Sequence, residues 1–174
     1  MSRSTTSLLI AVVALLALGV GRGLEPRVLD TLDDASGFFG ASEASVVNVE
    51  DGAVALGKAD PDADAFVRWG LPEFQAVPMP TGGGLEVVIS EVRGDAALQV
   101  LVQLEGPDGS DFGHFPWIDG ATDPGPLTLE DLAAFAEEHG HPDAAAFRLL
   151  FRHLADPAGE IIIDEIRLTG GPST

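Results

Sequence analysis

A chain of 174 residues is about one domain long, and with 45% hydrophobic residues it can bury a sizeable core. Its formal charge is −19, from 28 acidic residues against nine basic ones, with Lys58 the single lysine, so nucleic acid and anionic membrane surfaces would be repelled. The absence of cysteine removes disulfides, thiolate nucleophiles, zinc-cysteine sites and a lipoprotein anchor together.

The opening "MSRSTTSLLIAVVALLALGVGRG" has Arg3 in a short polar start and then an apolar run from Leu8 to Gly21. That run is shorter than the ~20 residues a spanning helix needs and suits the apolar region of a signal peptide. Residues 1–23 are therefore expected to be a signal peptide or an N-terminal membrane anchor. Residues 24–174 follow as a single extracytoplasmic domain, secreted or tethered to the outer face of the membrane. The acidity has two readings, a surface adapted to high salt and an ordinary acidic exported protein, and composition leaves both open.

Beyond the opening, Gly, Pro and Asp punctuate short apolar runs roughly every 8 to 14 residues, the spacing of an all-β sandwich. "RVLDTL" is a first strand, and "SVVNVEDGAVALG" reads as a hairpin in which Asp51-Gly52 supply the positive φ of a two-residue turn. In "DAFVRWGL", Phe66 and Arg68 alternate with Val67 and Trp69, so the strand has two unlike faces. "LEVVISEV" and "ALQVLVQLEG" follow as a central pair of long strands joined through Arg93-Gly94-Asp95, the second with Leu98, Val100, Val102 and Leu104 toward the core. "DFGHFPWIDG" reads as a Gly-rich loop. Thr128 before "LEDLAAFAEEHG", with Asp131 three residues on and Gly140 at the end, predicts one helix in a variant capping box.

The segment "DAAAFRLLFRHL" fits a helical stripe through Phe147, Leu150, Phe151 and Leu154 and a strand through Phe147, Leu149 and Phe151 about equally. A strand is favoured, because "ADPAG" then connects it to "EIIIDEIRL" as an antiparallel hairpin.

This order of elements, closing on an apolar run, Asp, Glu and a further apolar pair at Ile161 to Leu168, resembles the galactose-binding-like jelly rolls over residues 26–169. These include the non-catalytic carbohydrate-binding modules of secreted glycoside hydrolases. The resemblance implies an all-β jelly-roll sandwich with one short helix, a polysaccharide or glycan as partner, and no enzyme activity. It also implies a structural calcium ion held by Asp164 with Asp33 or Asp34. Without calcium, Asp164 and Glu165 would face solvent or pair with Arg167 or Arg27.

Sugar binding needs flat aromatic faces and hydrogen-bonding side chains that reach hydroxyls. Trp117, Arg68, Gln99, Gln103 and Arg148 are the candidate contacts, with the alternative that Trp117 plugs the core beneath the helix, while Trp69 is expected inside. The lack of any Tyr is unusual for an open sugar platform. "DPDADAF" reads as a solvated acidic turn, and His139 and His141 lack a third strong ligand nearby. No G-x-S-x-G elbow is present, and carboxylate pairs discriminate nothing at this acidity, which leaves a small secreted hydrolase as a minor reading. A structural or assembly protein of the cell surface, contacting another protein through the same sandwich, is the alternative to glycan binding.

Overall fold

The computed structural model describes residues 27–60, 62–154 and 159–170, so the signal or anchor segment and residues 155–158 of the "ADPAG" connector lie outside it. Its strands are β1 (Arg27–Asp30), β2 (Phe38–Phe39), β3 (Ser45–Glu50), β4 (Ala53–Lys58), β5 (Ala65–Trp69) and β6 (Val77–Pro78). They continue as β7 (Leu85–Arg93), β8 (Leu98–Glu105), β9 (Asp111–Ala121), β10 (Gly125–Leu129), β11 (Ala146–His153) and β12 (Glu160–Leu168), with one helix, α1 (Leu132–Glu138). Two six-stranded antiparallel sheets form a sandwich. The first runs β10, β7, β12, β4, β3 with β1 beside β12; the second runs β2, β5, β11, β8, β9 with β6 beside β11.

Period-two alternation builds the core between the sheets. Leu85, Val87, Ile89, Ile161 and Ile163 of the first sheet meet Val67, Trp69, Val100, Val102, Phe147, Leu149 and Phe151 of the second, all buried. The β3–β4 hairpin forms as expected, with Asp51 at φ 50° and Gly52 at φ 80°. Segment 146–153 is a strand, and its alternate residues Phe147, Leu149, Phe151 and His153 are buried.

Three expectations are corrected. First, β11 and β12 do not form a hairpin: β11 lies between β5 and β8 in the second sheet, and β12 between β7 and both β4 and β1 in the first. The long strands β7 and β8 are likewise divided between the sheets. Each of these strands has an apolar row, which core burial satisfies as well across the sandwich as alongside. Second, "DFGHFPWIDG" is strand rather than loop, because β8 offers it backbone partners from Leu98 to Glu105. Third, α1 starts at Leu132; Thr128 and Leu129 are spent on pairing β10 with β7, and Asp131 is itself the N-cap, accepting from the Ala134 amide at 3.0 Å.

The carboxylates inside β12 mark a change of register. Ile162 opposes Glu91, Ser90 is skipped, Ile163 opposes Ile89, Asp164 is skipped in turn, and Glu165 and Ile166 oppose Val88 and Val87. Each strand thus carries an extra residue at the same level, and the Ser90 hydroxyl donates to Asp164 at 2.6 Å across the interruption. The buried face of β12 passes from odd positions, Ile161 and Ile163, to an even one, Ile166. The neighbour changes there too, from β4, which ends its pairing at Ile163, to β1, which begins at Ile166. Glu165 accepts from Arg167 at 3.1 Å on the outer side.

His153 is the one buried side chain with no hydrogen-bond partner on either ring nitrogen among the described residues. Burial pushes its imidazole below the ordinary value, the nearby Gly159 backbone opposes this, and the Lys58 charge adds to it. The folded value then lies below the unfolded ~6.5, so on acidification the unfolded chain takes the proton first. Stability should therefore fall from about pH 6.5 downward until the folded imidazole protonates. Urea midpoints at neutral and mildly acidic pH should show this drop in the native chain and a smaller one in His153→Leu; an equal drop in both would assign it elsewhere.

Candidate ligand-binding face

The alternation that buries one side of the second sheet turns the other side to solvent. Phe66 and Arg68 project from β5, Arg148, Leu150 and Arg152 from β11, and Gln99 and Leu101 from β8, with Gln103 on the same side but itself buried. Register sets them in rows across the strands. One row runs Arg68, Leu150, Leu101, Pro116; a second runs Phe66, Arg152, Gln99; a third runs Arg148, Gln103, His114. The half-buried Leu101 and Leu150 form an apolar floor, and a cleft of about 240 Å³ lies over them, lined also by Asp64, Phe66, Arg68, His114 and Arg152.

Hydrogen bonds hold the polar rim in place. The Arg152 guanidinium donates to both oxygens of Asp64 at 2.7 and 2.5 Å, which raises the arginine and holds the Asp64 carboxyl below its usual range. The side-chain amides of Gln99 and Gln103 donate to Asp119 and Asp111, each at 3.1 Å. Arg148 ion-pairs with Glu105 and donates to the Phe74 carbonyl at 3.1 and 2.9 Å. Burial, followed by the charge of Arg68, pulls the Arg148 guanidinium down. Arg68 itself lies 5.6 Å from the centroid of the Phe66 ring and has no ion pair among the described residues.

At one end of the face, Glu73 and Phe74 both take positive φ, 61° and 65°, in a turn that leaves the Phe74 ring 58% exposed. This ring packs on Phe39 with centroids 4.9 Å apart. Two adjacent non-glycine residues in the left-handed region store strain of order 1 to 3 kcal/mol each, which the surrounding contacts must offset.

Of the residues singled out by sequence, Arg68, Gln99, Gln103 and Arg148 share this side of the sheet, whereas Trp117 is the residue of β9 that the register skips, half-buried against the hydrophobic core. Phe66, Leu101, Leu150, His114 and Phe74 complete the surface and were not singled out as contacts. Phe66 was within reach, since its alternation with Trp69 sets it beside Arg68. The pairing that brings Leu101 and Leu150 together is non-local. Of the carboxylates expected at calcium, Asp164 accepts from the Ser90 hydroxyl, Asp33 from the Thr31 hydroxyl, and Asp34 from the Ser36 amide. No group of three or more His, Asp or Glu positioned for a metal occurs among the described residues. His139 and His141 instead stack on Phe115 and Phe112, with centroids 4.7 and 4.5 Å apart.

No protein-family model and no curated protein matches the sequence. Solved structures do. The fold is similar to that of jelly-roll carbohydrate-binding modules. The family 11 module from Clostridium thermocellum, in complex with a β-1,3-1,4-mixed-linked tetrasaccharide, superposes with a TM-score of 0.57 at 14% identity, covering 89% of this chain and 99% of that one. The solution structure of a family 11 module gives 0.56 at 14%, over 90% and 99% of the two chains. A mutant family 29 module gives 0.51 at 14%, over 84% and 92%. At such identities the shared property is the fold.

Proposed function

We propose that this chain is a non-catalytic, extracytoplasmic carbohydrate-binding domain whose ligand lies across the outer face of the second sheet. The observation that carries the reading is the cleft over Leu101 and Leu150, where an apolar floor is ringed by Arg68, Arg152, His114 and Phe66. A sugar ring has the same division, with C–H groups on its faces and hydroxyls at its edge, and the Gln99 amide is already fixed on the row beside the leucine floor. Similarity of fold to modules that include one solved with a bound tetrasaccharide supports it further. Among the described residues the exposed large hydrophobics, Val28, Val49, Phe74 and Leu154, come from separate parts of the chain rather than from one contiguous patch of the kind a protein partner would favour.

A glycan array probed with the full chain, followed by titration of the best ligand, tests this. Phe66→Ala should weaken binding at least tenfold, equivalent to about 1.4 kcal/mol, with the unfolding midpoint little changed. Trp117→Ala should affect binding only as far as it affects stability. No binding by a folded native chain would refute the proposal, and binding lost through Trp117 alone would move the site to Trp117 on β9.

A further inference from the structure

We infer that the ligand of this face carries carboxylate groups, so that the surface selects uronate-bearing glycans over neutral ones; the inference rests on the sugar-binding reading above. Its basis is how an acidic chain distributes its few cations. Arg93 is surrounded by three carboxylates, Glu50, Glu91 and Glu160, and Arg167 by two, Glu86 and Glu165. On the outer face of the second sheet the arginines outnumber the carboxylates that pair with them. Three arginines, Arg68, Arg148 and Arg152, have two carboxylate partners, Glu105 and Asp64. The other acids at its rim, Asp111 and Asp119, are engaged by the amides of Gln103 and Gln99. Arg68, at the edge of the cleft, has the Phe66 ring beside it and no ion pair among the described residues.

This unpaired cation also has a like-charged neighbour. The charge of Arg68 opposes the protonated form of the partly buried Arg148, whose partner Glu105 is committed to it. An anion seated against Arg68 relieves that repulsion. A carboxylate matches the planar guanidinium fork with two parallel hydrogen bonds, while the sugar ring that bears it lies on the leucine floor.

The −19 net charge would repel a polyanion at long range, but that repulsion decays over about 8 Å at physiological ionic strength. The contact with Arg68 is made at bonding distance and is screened less. Moderate salt should therefore preserve or strengthen uronate binding, the reverse of ordinary ion-exchange behaviour.

The test is calorimetric titration of the full chain with oligogalacturonate, its methyl ester, a neutral mixed-linked β-glucan oligosaccharide and a sulfated oligosaccharide. Oligogalacturonate should bind at least tenfold more tightly than the ester. Arg68→Gln should abolish that preference, Arg68→Lys should retain part of it, and Arg167→Gln on the other sheet should leave it intact. Equal affinity for acid and ester, equal affinity for the sulfated chain, or a preference that survives Arg68→Gln would each overturn the inference. Binding of the neutral glucan without binding of uronate would overturn it while leaving the sugar-binding reading in place, whereas a folded protein silent toward all four ligands would remove both.

Discussion

Trp69→Ala is expected to lower stability by about 4 kcal/mol, in the range for truncating a fully buried aromatic residue. Trp69 is completely buried at the end of β5, and its indole N–H donates to Asp30 Oδ2 at 2.8 Å. The other oxygen of Asp30 accepts from the Leu32 amide at 2.9 Å, fixing the turn that follows β1. Gly37 completes the arrangement, since a Cβ there would lie 2.7 Å from the indole nitrogen and 2.8 Å from the Asp30 carboxylate. Losing the indole thus opens a cavity and also takes one of two donors from a half-buried carboxylate, which adds roughly 1 to 3 kcal/mol where no water replaces it. For a chain of this size the thermal midpoint should drop by roughly 10 °C or more. Trp69→Phe separates the two contributions by keeping most of the volume and none of the N–H. A Trp69→Ala loss below about 2 kcal/mol would mean that the core closes over the gap.

Gly84→Ala should be at least as damaging, for a reason of space rather than of backbone angle. A Cβ at Gly84 would fall on the carbonyl oxygen of Leu129 and within 2.6 Å of that of Glu130. Both obstacles are backbone. They cannot move aside, because Gly84 and Thr169 exchange amide-carbonyl bonds at 3.3 and 3.0 Å and the Leu132 amide donates to Gly83 at 3.1 Å. Ends of β7, β10 and β12 and the start of α1 are therefore tied at one point. A loss of about 3 kcal/mol or more is expected, beyond ordinary overpacking. Gly109→Ala is the control: it has φ 79° and open space, so only the left-handed penalty of about 1 kcal/mol applies. Denaturant unfolding of the two variants should rank them in that order, and equal losses would show that the junction yields.

What could be read from the sequence divides along the range of the interactions involved. The alternation of Phe66 and Arg68 against Val67 and Trp69, and the even-numbered core face from Leu98 to Leu104, are local periodicities, and the structure follows them. Asp51-Gly52 signals its own turn in the same local way. Partnership between strands is not local. Nothing within β11 or β12 states that one pairs with β8 and the other with β7, and a short connector between two apolar strands suits a hairpin as well as a crossing between sheets. The Gly-rich appearance of residues 111–120 misled for the same reason, since glycine is tolerated in a strand whose bulges the partner β8 accommodates. For the binding face, sequence yielded the arginines and glutamines one strand at a time. Their assembly around Leu101 and Leu150 depends on register across β5, β11, β8 and β9.

The skipped residues Ser90 and Asp164 have a consequence for how this chain can change over time. Because they interrupt two neighbouring strands at one level, each is the counterweight of the other. Losing Asp164 alone would bring Ile163 and Ile166 two positions apart, which ordinary alternation still turns inward, but it would leave Ser90 an unmatched extra residue in β7 with no acceptor for its hydroxyl. Losing both would shorten the sheet by one step and restore agreement on the two sides. Insertions and deletions in β7 and β12 are thus coupled across 74 positions of sequence, and lineages of this domain should gain or lose these two residues together.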